Sequence, residues 1–252
     1  MTALISLNKI NKGFLVKKKL NPVINNISFD INYNEVISIV GPSGCGKTTV
    51  LKIIANLLDV DSGEILFNGK KILKSKINHS IGYVPQNHTL LPNRTVFENI
   101  TLPLEINGKK DFQKALDLVD LMGLSEYKDH YPSQISGGMK QKVSIARALV
   151  LNPDLLLLDE PFASVDEISR EKFNLELLRL NKILKRSMIL VTHNIEEAVF
   201  MSDRILVMSG VNGSIISEVN IPLGDARNPE TRSSELFFST TNIIRKLIKT
   251  NE

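Results

Sequence analysis

The sequence predicts an α/β protein, a parallel sheet covered by helices on both faces. Three features carry that expectation. Short apolar runs, none longer than four residues, recur along the 252-residue chain and fit buried strands. Between them apolar residues fall at helical spacing. One mostly apolar stretch, Glu35 to Val40, leads straight into a glycine loop at Gly41 and then into a helical pattern.

In order, the first 40 residues read as β. Ile5-Ser6-Leu7 is a short alternation, KKKLNP is turn-rich, and Val23 to Ile31 is a second strand. After the glycine loop, Val50, Leu51, Ile54, Leu57 and Leu58 share a helix face. Gly63 to Phe67 and Ile81 to Val84 are further strands. From about 87 to 150 the texture turns helical, with Phe112, Ala115, Leu116, Val119 and Met122 in register and a second helix starting after Ser136-Gly137-Gly138. Leu155 to Leu158, Ser187 to Thr192 and Arg204 to Met208 are three more strands. Ile243, Ile244 and Leu247 predict a helix docked on the body.

Composition narrows the class. Apolar residues make up 42% and charged residues 23%, ordinary for a globular chain. A spanning helix needs about 20 mostly apolar residues, so none is expected. The start, MTALISLNKI, shows no secretory pattern, and the single Cys45 excludes an internal disulfide; a cytosolic setting is expected. The net charge of +4 comes from scattered lysines, and there is no Trp, so no nucleic-acid stripe is expected.

Gly41-Pro42-Ser43-Gly44-Cys45-Gly46-Lys47-Thr48 fits G-x-x-x-x-G-K-[ST] at every fixed position. Backbone N–H groups that curl inward there, at a helix N-terminus, form an anion nest. Lys47 can reach β- and γ-phosphates, and the Thr48 hydroxyl can ligate Mg²⁺. Asp159-Glu160 ends an apolar strand at the edge where open α/β sheets bind ligands. Asp159 suits the Mg²⁺ shell, and Glu160 suits a base that orients water. His193 ends another strand and can donate to a phosphate. Gln86 follows the strand Ile81 to Val84 and can ligate a metal through its amide oxygen. Taken alone, each of these two is an ordinary structural or surface residue.

With Ile135-Ser136-Gly137-Gly138-Met139 added, in this order along the chain, the sequence resembles the nucleotide-binding subunits of ABC transporters over residues 3 to 222. Lys140-Gln141-Lys142 and Ile145 to Leu149 extend the match. The resemblance implies a RecA-like phosphate-loop NTPase core with an N-terminal antiparallel β part and an inserted α-helical subdomain. It implies one ATPase domain over 1–222 (core 1–86 and 151–222, helical subdomain about 87–150) and a tail over 223–252. It implies ATP and Mg²⁺, with Thr48, Gln86 and Asp159 at the metal and Thr49 joining the loop's nucleotide contacts. Glu160 and His193 would be catalytic, Phe14 would stack on adenine, and Asp166 would be the D-loop aspartate. Ser136, Gly137 and Gly138 would contact ATP bound to a second subunit, identical or homologous. Permease subunits, an extracytoplasmic solute-binding protein and a place on the cytoplasmic side of the membrane follow. The permease would dock beside Gln86, with Leu90 and Leu91 in contact and Val96 and Phe97 either in contact or packed inside.

Three departures stand out. Met139 replaces the family's glutamine, Thr48-Thr49 replaces Ser-Thr, and Asn34 replaces a glycine at a turn that Asn tolerates. Signature text ending in GGM, with Leu90-Leu91-Pro92 after Gln86 and the segment Asp159 to Asp166, looks like importers of nitrate, sulfonates or taurine. Another importer, an exporter, or an ABC-type ATPase outside transport remains the alternative.

Overall fold

A computed structural model describes residues 3–71, 80–109, 112–163, 165–211, 213–224 and 226–250. Ser164, within the acidic segment quoted above, lies outside them. The strands and helices run β1 (Ile5–Val16), β2 (Lys19–Ile31), β3 (Val36–Val40), α1 (Lys47–Ile54), β4 (Ser62–Phe67), β5 (Lys70–Lys71), β6 (Ile81–Val84), α2 (Val96–Ile106), α3 (Gln113–Leu121), α4 (Gly137–Leu149), β7 (Leu155–Asp159), α5 (Glu167–Leu184), β8 (Ser187–Val191), α6 (Ile195–Met201), β9 (Arg204–Met208), β10 (Ile215–Asn220) and α7 (Glu235–Lys249). No helix among the described residues is long and apolar enough to cross a membrane. The chain forms two compact units, Met1–Ile77 with Lys185–Glu252, and Asn78–Leu184.

The first unit holds the N-terminal antiparallel sheet, in the order β2-β1-β4-β5. The first strand runs well past the short alternation at Ile5 to Leu7. Its outer half, up to Val16, has no buried residue and is held by ladder pairing with β2, so burial leaves no pattern there to read. The turn is only Lys17-Lys18, both at positive φ (48° and 65°), which matches the right-handed strand twist. Lys19 to Pro22 are therefore strand, not turn.

In the same unit, β3 lies between β8 and β9, parallel to both, and β10 is antiparallel to β9. All five residues of β3 and of β8 are buried, which is why both read as continuous apolar runs. The short strand β10, IISEVN, is a half-exposed edge without apolar continuity, and the pattern missed it. Asn34 takes the left-handed turn at φ 60°. The tail helix α7 buries Phe237 and Ile244; of the three residues expected on its inner face, Ile243 is 52% exposed and Leu247 half-buried.

The second unit holds the parallel pair β6 and β7 and helices α2 to α5. Thr95 caps α2 in a reciprocal capping box with Glu98. Val96 is fully buried and so packs the unit's interior, whereas Phe97 is half-buried and meets the exposed Phe112 edge-on at 6.3 Å. Leu91 is 37% exposed. Asn99, buried, ties down the loop before α2 through the Leu91 amide and the Leu91, Arg94 and Thr95 carbonyls.

Candidate functional site

The phosphate loop belongs to the first unit. The buried strand β3 delivers Gly41 at its carboxyl end, and α1 begins at Lys47. Gly46 caps that helix at φ 105°; no side chain caps it, and no acidic residue stands in its first turn. A Cβ at Gly46 would sit 2.7 Å from Ile24 Cδ1, so both backbone and space demand glycine. The uncapped N-terminus leaves backbone donors for an anion.

Lys47 is only 6% exposed. Its ammonium donates to the Gly41 carbonyl at 2.9 Å and the Pro42 carbonyl at 2.8 Å. The buried cation thus sits across the mouth of its own loop, on neutral acceptors, and a phosphate there would supply charge. The loop therefore fits a polyphosphate. Cys45 is also buried, its sulfur 3.9 Å from the Lys47 ammonium. Burial pushes its thiol above the ordinary range, and the Lys47 charge offsets only part of that. Ser43 and Gly44 are exposed, and Pro42, Thr48 and Thr49 are half-buried.

His193 lies in the same unit. The parallel register pairs Ile39 with Val191, so two residues further on Gly41 and His193 leave the sheet at the same level. The imidazole is exposed. Phe14 is 38% exposed and so not a core residue; the Lys12 ammonium lies 5.7 Å from its ring centroid. A free aromatic face on the hairpin can stack on a base.

The second unit carries the acidic pair. Val84 and Leu158 pair in the parallel register, so Gln86 and Glu160 emerge side by side. The Gln86 amide nitrogen donates to Glu160 Oε2 at 3.0 Å, which leaves the amide oxygen for a metal. Glu160 adopts a left-handed φ of 46°. For a non-glycine residue such a conformation costs about 1–3 kcal/mol and gathers at functional sites. Asp159 is 3% exposed and accepts from the Tyr83 hydroxyl at 3.1 Å. Burial and the neighbouring Asp159 charge push the Tyr83 phenol well up, so it stays a donor. Tyr83 went unremarked in the sequence, because a lone strand tyrosine gives no signal of its partner.

The signature turn opens α4 in this unit. Ser136 is its N-cap, accepting from the Met139 amide at 3.3 Å; Ser136 and Gly137 are exposed, and Gly138 is half-buried. Asp166 accepts from the Ser169 amide at 3.0 Å at the start of α5, and that hydrogen bond pulls its carboxyl below the usual range. A network missed in the sequence ties the segment after Gln86 to α4. Arg147 donates to the His88 and Thr89 carbonyls, each at 3.1 Å; Ser144 donates to the His88 carbonyl at 2.9 Å; and the Gln141 side chain meets His88 Nδ1 at 2.8 Å. Thr89 is held at φ 44°, unusual for a β-branched residue. Its strain is secured by the Arg147 fork.

A phosphate loop with an uncapped helix behind it, and a strand ending in Asp-Glu beside a glutamine, define a phosphate-loop nucleotide hydrolase. The family profile described as ABC transporter matches residues 24–163. The chain is 39% identical over 229 residues to an aliphatic sulfonates import ATP-binding protein of Bacillus cereus, covering 90% of each chain. It is 35% identical over 246 residues to a sulfate/thiosulfate import ATP-binding protein of Pseudomonas syringae, covering 94% of this chain and 73% of that one. The solved dimer of the ATP-binding cassette MJ0796 in a post-hydrolysis state, bound to ADP and Pi, superposes with a TM-score of 0.77 and 30% identity over 86% of this chain and 98% of that one. The chain belongs to the ABC transporter family, as an ATP-binding and ATP-hydrolysing subunit with the RecA-like core and inserted helical part of that fold.

Proposed function

We propose that this chain powers the uptake of a small oxyanion solute, with aliphatic sulfonates first and nitrate and taurine beside them. The observation that carries this reading is the 39% identity, across nearly the whole chain, to an aliphatic sulfonates import subunit. The sulfate/thiosulfate relative points to the same solute chemistry.

In this reading ATP lies in the phosphate loop, formed by Gly41 to Thr49. The Lys47 ammonium leaves its two carbonyls for the β- and γ-phosphates, a stronger, charge-assisted pairing. Phe14 stacks on adenine. Thr48, Asp159 and the Gln86 oxygen hold Mg²⁺, which would neutralise charge on the phosphates. Glu160, oriented by the Gln86 amide, takes the proton of the attacking water. His193 donates toward the γ-phosphate. Ser136, Gly137 and Gly138 serve ATP bound to a second subunit, with Asp166 near the same seam; the dimer of the MJ0796 cassette supports that arrangement. The 1–222 segment works as one ATPase domain. Permease subunits hold it at the cytoplasmic face of the membrane, where ATP is, and a binding protein delivers the solute. No nucleic acid is involved.

The test is reconstitution of the chain with its permease subunits in vesicles. ATP-dependent uptake of a short alkanesulfonate is the expected result. Uptake of a cationic solute alone, or outward movement, would overturn the reading.

A further inference from the structure

The second unit contains a cavity of about 380 Å³ that belongs to neither the phosphate loop nor the acidic pair. That volume lies in the range of small-molecule sites. One wall is aromatic: Phe162 and Phe173 stack at 5.8 Å between centroids, 10° apart in plane. The floor is aliphatic and buried, made by Ile145, Leu177 and Leu180. Charged groups sit at the rim. Lys142 is paired with Glu176 at 2.8 Å, and Asp120 accepts from the Ser125 hydroxyl. Arg179, also at the rim, has no carboxylate partner among the described residues.

The aromatic wall is shared with the hydrolytic parts. Phe162 stands two residues after Glu160. Phe173 lies so close to the signature turn that a Cβ on Gly138 would be 2.4 Å from its Cζ. The Lys142 ammonium lies 5.4 Å from the same ring. Phe173 thus lines the cavity and at the same time meets Gly138 with the edge of its ring.

We propose that this cavity binds a small aromatic monoanion, its rings along the phenylalanine wall and its charge on Arg179, and that its occupant loosens the signature turn through Phe173. The role of that turn in hydrolysis rests on the reading above; the binding and the loosening do not.

The test uses naphthalene-1-sulfonate with the full chain, and 1-naphthalenemethanol as its neutral counterpart. Calorimetry should show saturable binding of one sulfonate. Arg179→Ala should weaken it by about tenfold, the worth of a charged contact, and leave the alcohol unchanged. Leu180→Phe, which grows into the cavity, should abolish both. Hydrogen exchange at the amides of residues 137 to 139 should quicken with the sulfonate bound. Absence of saturable binding, or binding indifferent to both variants, overturns the site. Binding with unchanged exchange at the signature turn overturns the regulatory half. Neither readout needs turnover, so failure of the ATPase reading would show separately, as a chain that binds the probe yet hydrolyses no ATP.

Discussion

Replacing Gly138 by alanine should change stability in opposite directions depending on residue 173. The added Cβ would lie 2.4 Å from Phe173 Cζ and 2.7 Å from Cε2. Carbon atoms need about 3.5–4.0 Å, so the ring must retreat by about 1 Å. It is not free to do so, being stacked on Phe162 and covered by Lys142. Overpacking of this kind costs about 1–3 kcal/mol. Against it stands the gain of alanine over glycine within a helix, about 0.5–1 kcal/mol. Gly138→Ala should therefore destabilise the protein, by up to about 2.5 kcal/mol. In a Phe173→Ala background the clash is gone, and the same change should stabilise by about 0.5–1 kcal/mol. The assay is urea unfolding of the four proteins of the cycle, with the slopes compared to check that the transition is the same one. Equal destabilisation in both backgrounds would refute the argument, since something other than Phe173 would then demand the glycine.

Glu160→Gln keeps the shape and the Gln86 neighbour but removes the base, so turnover should drop by about 10²–10⁴-fold while ATP binding persists; phosphate release and calorimetry read the two, and near-normal turnover would remove Glu160 from the role. Cys45 is buried with its thiol pushed up, so alkylation by iodoacetamide at neutral pH should be much slower than for a free thiol, and ATP should slow it further. The sign of the linked stability follows: the thiolate forms more readily in the unfolded chain, so native stability holds below the ordinary thiol range and falls as pH rises through the raised one. A pH series of urea midpoints, compared between the native chain and Cys45→Ala, checks it. Leu91→Asp places a charge on a side chain 37% exposed, so the melting temperature should stay within about 2 °C while capture of the permease subunit is lost; a mutant that still captures and transports would move the docking surface elsewhere.

Local chemistry was legible in the chain itself. The phosphate loop needs a strand, glycines, a lysine and a helix in direct succession, so Gly41 to Thr48 announced both its fold and its ligand. Four leucines ahead of Asp159-Glu160 likewise read as the buried strand they form, and Asn34 as the left-handed turn that is a property of the residue. Where burial is one-sided or absent, the pattern weakened. The outer half of β1 and the edge strand β10 are held by backbone ladders that carry no side-chain code.

Partnerships between distant residues were decided only in the tertiary structure. Nothing in the spacing of Gln86 and Glu160 tells that they meet at 3.0 Å; the parallel register of β6 and β7 brings them level. Tyr83 acquires its raised phenol from burial and the neighbouring Asp159, and Val96 proves to be interior packing because α2 turns it inward, while Phe97 stays half-buried. Phe173 stands 35 positions after Gly138, and only the packing of α5 beside α4 makes the missing Cβ of one the space for the ring of the other. A residue's own dihedrals and charge travel with the sequence, whereas distance, burial and the shape of a cavity exist only once the elements have packed.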